Sequence, residues 1–139
     1  MEFLRLNENW NAEPNAPNPH IEITRSTLKL SFYLNPFLYS QFREGDIGIL
    51  EFHNCFQYRA GVPSDEGFYV YKQSRYKQYG VEWGHFYIVN NSDWEINFPD
   101  ALIVDSRIPV GILKHYLFYF RDETVEVVAE NYRFRIIKV

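Results

Sequence analysis

The chain has 139 residues and a formal charge of −4, with 46% hydrophobic, 19% aromatic and 23% charged residues. That length fits one domain, residues 1–139, which buries roughly 70% of the surface its unfolded form exposes and needs neither a metal nor a disulfide to fold. Acidic and basic residues are interspersed rather than massed, so a nucleic-acid partner is not expected, and a protein partner of basic character fits better.

The single cysteine, Cys55, cannot form an internal disulfide and lies between Phe52 and Phe56. This favours a buried, inert thiol and a reducing compartment, so a cytoplasmic location is expected. Residues 1–6 lack the basic region and long apolar run of a signal peptide. No run in the sequence approaches the roughly 20 apolar residues of a membrane span, so no membrane partner is expected.

In chain order, residues 1–20 read as an irregular entry, with Pro14, Pro17 and Pro19 among asparagines and Trp10 as its anchor to the body. Residues 21–25 read as a strand, turning at Ser26 and Thr27. In 28–34, Leu28, Leu30, Phe32 and Leu34 alternate with Lys29, Ser31 and Tyr33, the pattern of a half-buried strand. Asn35 and Pro36 are a good cap and first position, Leu38 and Phe42 are four apart, and Gly45 follows, so 36–44 is expected to be a short helix. Residues 47–58 read as a long strand whose broken alternation suggests a bulge near Asn54. Residues 59–67 read as a loop, 68–71 as a strand, and 72–79 as a helical turn or loop.

Residues 83–89 read as a further strand that turns at 90–93, with 94–98 pairing back as a hairpin. The run 101–104 is short and apolar. The last quarter, 115–139, is dense in aromatic and β-branched residues and is broken by polar clusters at 121–123 and 130–131, which reads as a three-stranded meander. The expected fold is therefore mainly β: an antiparallel β-sandwich or open barrel of about eight to nine strands with one or two short helices.

No motif in the sequence assigns a catalytic residue. His20, His53, His85 and His115 are isolated and lack zinc-ligand spacing, so no metal is expected. There is no serine elbow and no phosphate-cradling glycine cluster, so no cofactor is expected. Two places gather polar groups beside aromatics: Tyr58 and Arg59 with Asp65 and Glu66, and His115 and Tyr116 with Asp122 and Glu123. Charged turns between strands carry such residues in any case.

The tyrosines point to binding. Eleven of them cannot all be buried cheaply, because each hydroxyl needs a partner. Tyr69, Tyr71, Trp83 and Tyr87 are expected to form an exposed aromatic binding face, with Asp65, Glu66, Asp122 and Glu123 as an acidic rim. Lys72, Arg75 and Lys77 among these tyrosines leave single-stranded nucleic acid as a weak competitor. The rival is an acid–base hydrolase or a small-ligand or carbohydrate-binding β-domain, with Asp65, Glu66 and His115 as its acid–base groups. In composition the chain resembles bacterial immunity-type and other small interaction domains. That resemblance implies non-covalent protein binding and leaves homo-oligomerisation open.

Overall fold

The computed structural model describes residues 1–61, 79–120 and 123–139. Eight strands occur among these residues: β1 (Glu2–Arg5), β2 (His20–Thr24), β3 (Thr27–Tyr33), β4 (Ile47–Gly61), β5 (His85–Asn90), β6 (Leu102–Ile103), β7 (Lys114–Tyr119) and β8 (Thr124–Ile137). All pair antiparallel in one sheet, in the order β1-β5-β7-β8-β4-β3-β2, with β6 added to β4. The sheet does not close. No α-helix occurs among the described residues, and a 3-10 turn spans Val110–Ile112. Among the described residues, no helix is long and apolar enough to cross a membrane.

The two long strands organise the molecule. Residues 47–53 of β4 pair with 131–137 of β8 and carry β3 and β2 on their free side. Residues 55–61 pair with 124–129 of β8, which in turn carries β7, β5 and β1. The sheet bends between these halves, so rings from non-neighbouring strands meet. Phe32 of β3 packs edge-on against Phe118 of β7 at 4.8 Å between ring centres, and Phe52 of β4 meets Phe86 of β5 at 5.9 Å.

Leu28, Leu30, Phe32 and Leu34 are all buried in this core, as their alternation requires, and Tyr33 is exposed. Trp10 is buried and stacks on Phe134 at 4.1 Å, so it anchors the entry segment as expected. On the opposite face of this half, the register aligns Glu22, Lys29, Glu51 and Arg133 across four strands. That row alternates in sign, as suits a solvated sheet face.

Four expectations need correction. Residues 36–44 form turns, not a helix. Asn35 does act as a cap, since its Oδ1 accepts the Phe37 and Leu38 amides at 3.0 and 3.2 Å. However, Leu38 is 64% exposed while Phe42 is 6% exposed, so the spaced pair shares no face and nothing rewards further winding. Residues 2–5, read as irregular entry, form β1 on the free edge of β5. That edge is where residues 94–98 were expected to pair. They turn away instead, with the Ile96 and Asn97 amides donating to the Asp93 carbonyl.

The final segment is two strands rather than three. β8 runs straight through Glu130 and Asn131, because β4 pairs with it on both sides of that point. The polar side chains there serve the outer face: Glu130 accepts from Asn54 at 2.7 Å, and Asn131 bonds His53 at 3.1 Å.

Candidate functional site

The first half of β8, Thr124–Ala129, is buried on both faces. Val125, Val127 and Ala129 enter the aromatic core. The other face carries Glu126, which has no exposure to solvent. A buried carboxylate needs charged or hydrogen-bonding partners, and the register supplies them. Arg59 lies directly opposite Glu126 on β4, and His115 is a diagonal neighbour from β7. Arg59 Nη1 is 2.7 Å from Glu126 Oε2, and His115 Nε2 is 2.8 Å from Glu126 Oε1. Arg59 Nε also donates to the Pro99 carbonyl at 2.8 Å.

The chain of bonds continues outward. His115 Nδ1 is 2.6 Å from Ser92 Oγ, and Ser92 Oγ accepts the Trp94 amide at 3.1 Å. Ser92 itself is half-buried. Arg59 and His115 are buried. The result is an ordered run, Ser92–His115–Glu126–Arg59, reaching from a surface loop to the floor of the sheet.

Bulge geometry places the neighbouring groove. The β4–β8 register shifts between Cys55 and Gln57, so Phe56 is the extra residue, two positions beyond the expected bulge at Asn54. Asn54 still marks the irregularity, with φ of 50°. Phe56 packs on Trp94 at 5.8 Å between ring centres. Together with Ile96, Phe98, Ala101, Val110 and the polar Gln57 and Glu95 they line a groove of about 340 Å³. Phe98 lies over the buried run, its ring centre 5.6 Å from that of His115. Ile96 and Val110, which line it, are exposed, as are Leu102 and Ile103 of β6 and Ile112 of the 3-10 turn.

The residues expected from the sequence fare unevenly. Tyr69, Tyr71, Asp65, Glu66 and Asp122 lie outside the described residues. So does the rest of 62–78, including the expected strand 68–71. Tyr87 is 6% exposed and its hydroxyl accepts the Glu82 amide at 2.8 Å, so it is not a surface anchor. Its ring belongs to a small second core with Val89 and Leu117, on the face opposite the main one. Trp83 is 38% exposed and packs against Tyr119 at 4.1 Å. Glu123 is half-buried, and burial pushes its carboxyl above the usual range.

His115 was singled out from the sequence and sits at the centre of the run; Arg59 was noted beside Tyr58. Ser92 and Glu126 were missed. Glu126 carries the one signal that could have revealed it, a lone carboxylate in the apolar stretch 124–129.

Cys55 is buried against the main core, which pushes its thiol up to about 12. No group of three or more His, Cys, Asp or Glu side chains placed to hold a metal ion occurs among the described residues. No family model, curated protein or solved structure matches this chain.

Proposed function

We propose that the protein is a non-covalent binding module for a partner protein of basic character, seated on the loop face around Trp94 and Ile96. The observation that carries this reading is Ile96, an isoleucine 91% exposed at the tip of a hydrogen-bonded turn. A single exposed apolar residue is ordinary. Here Leu102, Ile103, Val110 and Ile112 stand with it beside an aromatic-lined groove, and clusters of that kind mark interaction sites.

The sequence around it supplies the partner's sign. Residues 90–101 contain Asp93, Glu95 and Asp100 and no lysine, arginine or histidine, while Asp105 further on is paired with Arg107 at 2.9 Å. An apolar centre with an acidic surround favours a basic partner bearing an apolar anchor, the charges acting mainly on the rate of encounter. The buried Ser92–His115–Glu126–Arg59 run supports the reading by fixing the loop beneath, which lowers the ordering cost of binding.

The test compares capture from native lysate by the wild-type protein, Ile96→Asp, and Phe37→Asp. Phe37 is another highly exposed apolar residue, 74% exposed, on a different loop. A basic protein held by wild type and Phe37→Asp but weakened at least about 30-fold by Ile96→Asp, the loss of one strong anchor, supports the proposal. Retention by all three proteins refutes it. So does capture only of nucleic acid, carbohydrate or small molecules.

A further inference from the structure

The run beneath this face has an order that bracing alone does not require. Glu126 is held as an acceptor by the Arg59 guanidinium at 2.7 Å. An ionised carboxylate only accepts, so the His115 Nε2 atom facing it at 2.8 Å carries the proton. In the tautomer with its proton on Nε2, Nδ1 accepts and faces Ser92 Oγ at 2.6 Å. In that tautomer the serine hydroxyl donates to a base whose ring is oriented by a third, buried group. That is the general arrangement of an activated serine, recognised by geometry and role rather than by position in the sequence.

Ser92 is half-buried rather than sealed, and its Oγ accepts the Trp94 amide at 3.1 Å. Trp94 and Phe98 belong both to this loop and to the groove, whose lining mixes these aromatics with Gln57 and Glu95.

We propose that Ser92 is a nucleophile toward uncharged carboxylic esters with an apolar acyl group, with His115 as its general base and Glu126 positioning the imidazole. Ser92 Oγ bonds to the ester carbonyl carbon as its proton passes to His115 Nδ1. The carbon–oxygen bond to the leaving alcohol breaks, and that oxygen takes the proton from His115. Water then attacks the acyl-serine by the same route, giving the carboxylic acid and free Ser92. Electrons and protons balance without an oxidant, reductant or metal. The groove residues Phe56, Ile96 and Val110 would take the acyl chain. This activity uses the same groove as the proposed partner but is read by different measurements, so each can fail while the other holds.

The test uses two probes on the full chain: p-nitrophenyl butyrate, followed by release of p-nitrophenolate, and an alkyl fluorophosphonate, followed by intact mass and peptide mapping. The expected results are a single phosphonyl adduct on Ser92 and a p-nitrophenolate release at least about 100-fold above that of Ser92→Ala, the usual reach of a positioned base. Ser92→Ala changes one surface-loop hydroxyl, and its fold is checked by near-ultraviolet circular dichroism. His115→Gln, where it folds, should lose labelling while Ser92 remains in place. An adduct that maps elsewhere, labelling no faster than in urea-unfolded protein, or release unchanged in Ser92→Ala overturns the proposal. If Ser92→Ala only lowers the melting temperature while wild type stays unlabelled, the run is a brace and Ser92 is not a nucleophile.

Discussion

Replacing Arg59 by alanine tests the buried run most directly. The Arg59–Glu126 pair is nearly sealed from water, at 3% and 0% side-chain exposure and 2.7 Å separation. Removing the guanidinium takes from the buried Glu126 carboxylate the cation directly opposite it, while His115 Nε2 stays at 2.8 Å. It also strips the Pro99 carbonyl of its Arg59 donor. Breaking one side of such a pair costs about 3–5 kcal/mol. Against a total stability of about 5–15 kcal/mol for a domain, this is a large fraction. With a urea slope of about 2 kcal/mol per molar, the midpoint should fall by about 1.5–2.5 M.

Tryptophan fluorescence in a urea series reads this directly. A companion, Glu126→Gln, removes the negative charge opposite the buried Arg59 and should also destabilise the protein. The double variant Arg59→Met, Glu126→Leu removes both charges and keeps the volume, and should recover more than half of the loss, because a buried pair adds little over well-packed apolar groups. A midpoint for Arg59→Ala within about 0.5 M of wild type, under about 1 kcal/mol on the same slope, refutes the reasoning. It would mean that water reaches Glu126.

Three further outcomes are expected. Gly48→Ala puts a methyl group 2.9 Å from the Phe32 ring and 3.0 Å from a Leu34 methyl, so overpacking should destabilise the protein by about 1–3 kcal/mol in a thermal melt. Lys138 and the amides of Arg43 and Val139 hold Asp46 at about 2, below the roughly 3.9 of a free aspartate. Its contribution is therefore full above about pH 4 and lost as pH falls toward 2, and the melting-temperature gap between wild type and Asp46→Asn should close over that window. Cys55, with its thiol at about 12 and its side chain buried, should resist iodoacetamide at pH 8 in the native protein and react once unfolded in urea; modification of the native protein at the rate of a free thiol would contradict its placement.

Local pattern carried what depends on one strand and its two faces. The alternation in 28–34 put Leu28, Leu30 and Phe32 inside and Tyr33 outside, because a strand's side-chain period leaves no other arrangement. The broken alternation of β4 announced a bulge, and the richness in aromatic and β-branched residues announced an antiparallel β-fold. Partner choice decided the rest. Asn35 offered a helix cap, but a helix needs a face to pack, and with Leu38 in solvent the chain only turns. Glu130 and Asn131 looked like a break, yet β4 pairs across them and Asn54 and His53 satisfy their side chains. Residues 94–98 could have paired with β5, but β1 holds that edge. Ser92, His115, Glu126 and Arg59 come from a loop and three strands, Ser92 and Arg59 lying 23 and 67 residues from their bonded partners. No spacing in the sequence encodes that meeting: it exists only because the register of β4, β7 and β8 brings one carboxylate, one guanidinium and one imidazole to the same side of the sheet.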